Sequence, residues 1–398
     1  MSIILLMTQE AGTGIIEGSL ERVLKIFLKC DTDYAPVPMT SFFTSKADLK
    51  NLTLPKLADF LTTLGFPASR ARHIFAWLMR PGSYEFDEMA EVKKEIRDRL
   101  KAESRISRLL PAKVEVSADG TRKYAFVLDD GAVIESVLIP EGDRHTLCVS
   151  SQVGCAMGCV FCLTGRMGFK RNLRACEIVN QVLAVIDDMV ARGIERGTHR
   201  EFINNLVFMG MGEPLANYDN LITALAILMT DEGLGFTQRR VTVSTCGIAP
   251  RIVDLGRDAK VNLAISLHAA DDHIRSALMP VNKTYGVDEL LAACRGYPLG
   301  KKGVILVEYI LIKDVNDSLE QAWLLAAKLA GIPSRINLLP YNESDELPYA
   351  QPAEQTILAF QKVLRDAGFT TLVRQSRGSD ISAACGQLAG QADLQEGS

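Results

Sequence analysis

Apolar and polar positions alternate with a period that changes along the chain. From about residue 51 to 102 apolar residues recur at helical spacing in LPKLADFLTTLG, ASRARHIFAWLMR and EVKKEIRDRLKAE, with Gly65 as a stop and PGSYEFDE as a turn. This predicts a small helical domain over 45–110. Over 112–139 the period becomes two, and Asp119-Gly120 and Asp130-Gly131 separate short strands as hairpin turns do, a β-hairpin extension over 111–145. Beyond it, strand-like runs alternate with helical ones. The strands are TLCVSS (146–151), NLVFMG (205–210), RVTVST (240–245), VNLAISL (261–267), GVILVEYILI (303–312) and RINLLP (335–340), and a last helix leads into TTLVRQ. Repeated β–α alternation with buried strands implies an α/β fold on a parallel sheet. About six repeats are too few for an eightfold barrel and predict a partial (β/α)6 barrel over 146–390. Residues 1–44 read as an extension: the amphipathic SLERVLKIFLKC is followed by DTDYAPVPM, whose prolines oppose further helix.

Composition changes this picture little. Hydrophobic residues at 47% against 23% charged argue against disorder, and a net charge of −4 does not advertise a nucleic-acid partner, although binding follows a local patch rather than the sum. No apolar run approaches the roughly 20 residues of a membrane helix. The start MSIILLM lacks the basic residues of a signal peptide. A cytoplasmic protein without membrane contact is expected. Its nine cysteines then suggest thiols used for metal or redox work rather than a disulfide framework.

The cysteines are not evenly used. Cys155, Cys159 and Cys162 form C-x3-C-x2-C in CAMGCVFC, a loop with glycines at 154, 158 and 165 after the first barrel strand. Three thiolates so close can ligate three irons of a four-iron cluster, leaving the fourth iron for a substrate. A structural zinc ion normally takes four ligands, and no neighbouring His or Cys supplies an obvious fourth.

With Phe161 before the last cysteine, this spacing resembles the radical S-adenosylmethionine (SAM) superfamily. Further segments carry the resemblance: MGMGEP (209–214), VSTCG, SLH (266–268) and NLLPYN. It implies a [4Fe-4S] cluster on the three cysteines and SAM contacts at Gly212, Glu213, Ser244, Ser266, Leu267, His268 and Asn342. Independently, these positions fall at strand C-termini, where α/β barrels build their sites. Together TLCVSSQVGCAMGCVFC, RNLR, MGMGEPL, RRVTVST, AISLHA, INLLPYN and RGSDISAACGQLAG, from about 55 to 390, resemble the RlmN family of adenine-2 methyltransferases acting on 23S rRNA and tRNA.

That resemblance implies a route to an inert carbon. Carbon 2 of adenine has no acidic proton or nucleophilic lone pair, so polar transfer of a methyl group cannot work there. In the family one SAM methylates a cysteine, matched by Cys385, and a second yields the deoxyadenosyl radical that activates this methyl group. After addition to carbon 2, a second cysteine, matched by Cys148, releases the RNA and leaves a Cys148–Cys385 disulfide. Glu135 matches the family's general base, although pattern alone makes it an outward strand residue. Implied substrates are the peptidyl-transferase region of 23S rRNA and the tRNA adenosine just 3′ of the anticodon. Implied companions are an electron donor such as flavodoxin, and the enzyme is expected to be a monomer.

Cys176, Cys246 and Cys294 read as packing residues. Arg166, Lys170, Arg171 and Arg174 follow the cluster loop as a basic run suited to phosphate contacts, which Arg70, Arg72 and Arg80 on the helical domain could extend. A target base must leave its stack to be reached. Two alternatives stay open at this point: the sister activity on carbon 8, which shares the cluster, both thiols and the two-SAM logic although the GQLAG tail favours carbon 2, and a non-catalytic zinc-binding RNA module.

Overall fold

Three helices, α1 (Leu54–Thr63), α2 (Ala71–Leu78) and α3 (Lys94–Glu103), form the N-terminal unit. Helix α1 starts with a proline in its first turn and ends before Gly65, whose φ of +85° suits a residue without Cβ. Their apolar stripes meet through Leu57, Leu61, Ile74, Phe75, Ile96 and Leu100, all buried. A two-residue parallel pairing of Ala47–Asp48 with Ser104–Arg105 ties the ends of this unit together. The computed structural model describes residues 46–194, 201–301, 303–343 and 346–389, so the expected extension 1–44, with Cys30, lies outside the described residues.

Ten strands follow in one sheet: β1 (Pro111–Val116), β2 (Arg122–Val127), β3 (Val133–Glu141), β4 (Arg144–Cys148), β5 (Asn205–Phe208), β6 (Val241–Thr245), β7 (Asn262–Ser266), β8 (Ile305–Leu311), β9 (Ser334–Pro340) and β10 (Thr370–Val373). They lie in chain order across the sheet. Strands β1 to β4 pair antiparallel, and β4 to β10 pair parallel. The segment expected to be a hairpin extension is thus a three-stranded meander hydrogen-bonded directly to the barrel sheet. Val137 opposes Cys148, so no break in the ladder falls at 145/146. The first barrel strand also ends earlier than expected. Ser150 and Ser151 leave the strand ladder because Ser150 Oγ donates to the Glu135 carbonyl at 2.6 Å and Ser151 N to the Met211 carbonyl at 2.8 Å.

Helices cover the parallel strands: α4 (Ala175–Ala191), α5 (Tyr218–Met229), α6 (Ala249–Asp258), α7 (Asp272–Leu278), α8 (Val287–Arg295), α9 (Leu319–Leu329) and α10 (Glu354–Asp366). All five residues of β6 are buried, as parallel strands covered on both faces require. Between β4 and α4 the chain makes a two-stranded ribbon, Gln152–Gly154 against Phe169–Asn172, with the cysteine loop between its arms.

The ribbon is fastened by charge. Arg171 forks onto Glu177 at 2.9 and 3.0 Å and reaches Asp130 at 2.6 Å, while Arg174 contacts Glu177 at 3.0 Å and Asp129 at 3.2 Å. This corrects the reading of Arg171 and Arg174 as open phosphate contacts: their guanidiniums tie the β2–β3 turn to the start of α4. Burial alone would raise the Glu177 pKa, but the two arginines outweigh it and hold the carboxyl below its ordinary 4.5. A lowered carboxylate stabilises the fold above the unfolded value, and that contribution is lost as pH falls through the folded one. Glu177→Gln is expected to cost about 1.5–3 kcal/mol at neutral pH. Denaturant melts should show the gap from wild type shrinking below pH 4.5.

Candidate active site

The parallel strands deliver their last residues to one edge. Cys148 ends β4, Ser244 lies near the end of β6, Ser266 ends β7, and Asn342 follows β9. After β5 comes Gly212, at φ +96°, where an added Cβ would lie 2.4 Å from the Gln152 Cβ. Only glycine permits this approach. It lets Glu213 N donate to Gln152 Oε1 at 2.9 Å, while the buried Glu213 carboxylate accepts from Leu215 N at 2.9 Å and Cys246 N at 2.7 Å. Burial raises the Glu213 pKa against these bonds.

Leu267 and His268 follow β7. Leu267 is wholly buried, its N–H donating to the Glu308 carbonyl at 3.0 Å and its own carbonyl accepting from Arg275 Nε at 3.0 Å. His268 takes a positive φ of 59°, and its Nδ1 accepts from Ile310 N at 3.0 Å. Its ring stands edge-on to Phe161 with centroids 4.9 Å apart. Burial first, and Arg275 second, pull its pKa down to about 3, which keeps the imidazole neutral.

The cysteine loop faces this edge. Cys155 N donates to the Gly168 carbonyl at 3.0 Å, Val160 N to Leu278 at 3.0 Å, and Cys162 N to Cys159 at 3.2 Å. The glycines here have definite tasks: a Cβ on Gly154 would fall 1.8 Å from the Gly168 carbonyl oxygen, and one on Gly165 3.0 Å from that of Cys159. Burial pushes the Cys155 thiol up to about 12 and raises Cys159 and Cys162, each thiol feeling at least one of the others or the nearby backbone. Metal binding must therefore displace protons. Among the described residues no three His, Cys, Asp or Glu side chains close on a single ion. Three thiols on one short loop suit a multi-iron cluster, each taking a different iron and leaving a fourth iron open, whereas a structural zinc ion normally takes four ligands. A buried cation, Arg275, backs the loop and matches such an anionic body.

The segment after β10 crosses the same face. Leu163 N donates to the Gly386 carbonyl at 2.8 Å, and Thr164 Oγ1 to Leu388 at 2.5 Å. Lys123 Nζ reaches the Ile381 carbonyl at 2.6 Å, and Asn342 Nδ2 that of Cys385 at 3.4 Å. Cys385 is solvent-exposed within this concavity, while Cys148 is buried, and both are free thiols. They stand near enough for Cys385 to add to the effect of burial on Cys148, whose thiol is pushed up to about 12. Cys385 rises to about 11, by desolvation and then by Glu308.

Glu135 departs from its pattern. It is 3% exposed rather than outward, because the C-terminal segment covers it: Oε2 accepts from Ala389 N at 3.0 Å, and Lys123 Nζ lies 3.7 Å from Oε1. Other residues at the site escaped the sequence reading. Gln152 positions Glu213, and Glu308, held by Asn337 at 2.8 Å, faces Cys385. Cys246, expected only to pack, also binds Glu213 and Arg275 through its backbone. Of the basic run, Arg166 donates to the Glu346 carbonyl and Lys170 is exposed. Arg70 is exposed, whereas Arg72 pairs with Glu232 at 2.9 Å and Arg80 lies 3.9 Å from Glu91.

The Gly154 contact is open to test. Gly154→Ala should strip iron from the reconstituted protein, measured per chain. Gly131→Ala, at φ +79° with nothing within 4 Å, should keep full iron and cost about 1–2 kcal/mol. Equal iron in both would remove the steric argument.

Comparison with known proteins agrees with this geometry. Residues 149–322 match the Radical SAM superfamily, and residues 47–106 match the ribosomal RNA large subunit methyltransferase N-terminal domain. Similar proteins include the dual-specificity RNA methyltransferase RlmN of Desulfotalea psychrophila, 52% identical over 86% of this chain and 95% of its own. That of Geobacter sulfurreducens is 50% identical over 87% and 93%. The crystal structure of a radical SAM methyltransferase from Sphaerobacter thermophilus superposes with a TM-score of 0.80 at 43% identity, covering 87% of this chain and 100% of that one. No described helix is long and apolar enough to cross a membrane. At half identity over nearly the whole length of such relatives, the chain belongs to the RlmN family of radical SAM RNA methyltransferases.

Proposed function

We propose that this enzyme methylates carbon 2 of adenosine in 23S rRNA and in tRNA, using two SAM per turnover. What supports the reading is that the Cys385 segment is fastened over the cysteine loop, Leu163 N donating to the Gly386 carbonyl at 2.8 Å, with Cys385 in electrostatic reach of Cys148. Cys155, Cys159 and Cys162 hold the [4Fe-4S] cluster, and Gly212, Glu213, Ser244, Ser266, Leu267, His268 and Asn342 surround SAM. Bound together, cluster and SAM supply one-electron chemistry that a polar site lacks.

The chain's own groups do the rest. Cys385, exposed on its loop, would carry the methyl group on Sγ. One hydrogen atom of that group would pass to the deoxyadenosyl radical from SAM, and its carbon would bond carbon 2. The unpaired electron left on the adduct would return to the cluster as the carbon-2 proton leaves. Glu135 takes the carbon-2 proton on its carboxylate, which the covering segment shields from water. Cys148 Sγ, giving up its proton, then attacks Cys385 Sγ. The Cys385 S–C bond breaks, the freed carbon takes up a proton to complete the methyl group, and the RNA leaves behind a transient disulfide that a thiol reductant reopens. The reading extends to a cytoplasmic monomer served by a donor such as flavodoxin. The helical unit over 45–110 contacts RNA, and the meander over 111–145 opens the sheet of the barrel that runs on through 146–390.

Nucleoside mass spectrometry of RNA treated with the reconstituted enzyme should yield 2-methyladenosine; 8-methyladenosine alone would sink the carbon-2 assignment. Cys385→Ala should abolish methylation and leave no S-methylcysteine. Cys148→Ala should accumulate chain covalently joined to RNA, and normal turnover by that variant would refute its resolving role.

A further inference from the structure

Arg275, on α7, is wholly buried. Its Nε donates to the Leu267 carbonyl at 3.0 Å, Nη1 to Asn282 Oδ1 at 2.7 Å, and Nη2 to the carbonyls of Cys246 at 2.6 Å and Ser266 at 3.2 Å. Every partner is a neutral oxygen. Among the described residues no carboxylate comes within ion-pair distance; the nearest acid named by its electrostatics is Asp272, which bonds Asn282 instead, at 2.9 Å. The hydrogen bonds are satisfied, but the charge is not. A guanidinium does not shed its proton in a protein, and burying a charge without a counter-charge is expensive. A neutral donor could staple these carbonyls at less cost.

The surroundings show where the opposite charge belongs. Helix α7 takes the backbone of the cysteine loop directly, through Val160 N on the Leu278 carbonyl at 3.0 Å, and Gly158 approaches Pro280 just beyond the helix. Cys246 and Cys159 are the groups whose charge acts most on Arg275. Gly247 makes room for it: a Cβ there would lie 3.1 Å from Nη2.

We infer that Arg275 is a positioning residue for electron entry, a fixed buried cation that stabilises the reduced form of the cluster held by Cys155, Cys159 and Cys162. This rests on the cluster reading above. On reduction the cluster takes one electron from a low-potential carrier and gains one unit of negative charge, with no proton or bond exchanged. A cation held nearby in a low-dielectric setting favours that state, and cluster potentials follow local charge and hydrogen bonding. The same side chain clasps the ends of β6 and β7, so charge and clasp need separate tests.

The experiment is a redox titration of the full-length reconstituted protein, followed by electron paramagnetic resonance of the reduced cluster. Wild type showing no cluster signal would fail the cluster reading itself, before any variant is compared. Arg275→Met should shift the midpoint negative, with a reduced-to-oxidised ratio at least tenfold lower at fixed potential, about 59 mV for one electron. Arg275→Lys, which keeps the charge and loses the fork, should stay within about threefold of wild type on the same scale. Asp272→Asn removes the nearby negative charge and should move the midpoint the other way; this arm decides the matter if Arg275→Met does not assemble. An unchanged midpoint in Arg275→Met, or an unchanged or more negative one in Asp272→Asn, overturns the inference and leaves Arg275 a clasp.

Discussion

A parallel sheet hands the last residue of each strand to a common edge, and here seven adjacent strands, β4 to β10, obey that rule. Their final carbonyls, no longer inside a ladder, need donors, and their final side chains look into shared space. Arg275 answers the first need for β6 and β7, and Asn316 does so just past β7 and at the end of β8, bonding the His268 and Ile310 carbonyls at 2.7 Å each. The second need becomes the site: polar side chains that would be penalised anywhere else in the sheet collect at the one place where a ligand can meet them. The cysteine loop is set against this edge because it interrupts the first crossover, between β4 and α4.

Burial acts on every thiol described here in the same direction. Cys148, Cys155 and Cys176 are all pushed up to about 12 and Cys385 to about 11. Such a site does not hold ready-made thiolates; it yields them when something positive arrives. For the loop cysteines that is iron, so metal loading and proton release are one event. For the paired thiols, chemistry depends on how each loses its proton, Cys148 in the interior and Cys385 on the exposed loop.

Much of this architecture was legible in the chain. Helical spacing located α1 to α3, and the Asp-Gly pairs marked turns that the structure places at Gly120 and Gly131 with positive φ. The three-cysteine spacing is local and needs no fold to be read. What escaped depends on contacts remote in sequence. A period of two says that Glu135 alternates with its neighbours, but not that a segment some 250 residues later covers it, as its bond from Ala389 shows. Arg171 and Arg174 look like a free basic run until the β2–β3 turn brings Asp129 and Asp130 against them. Arg275 shares the short helix DHIRSAL with Asp272, and no periodicity marks it as buried. The pairing of Cys148 with Cys385 was expected from resemblance, and spacing alone does not suggest it.

The segment beyond β10 has a geometric consequence of its own. It leaves from one edge of the open sheet and is fastened near the other: Gly378 N bonds Asp119 at 3.1 Å, Ala118 N bonds Asp380 at 3.0 Å, and Lys123 and Glu135 hold Ile381 and Ala389. The two margins of the sheet are thereby joined by a cord of fixed length. Fastened at both ends, the cord opposes any parting of the two margins, so a change in the chain between Arg374 and Gly378 would be felt on the far side of the sheet.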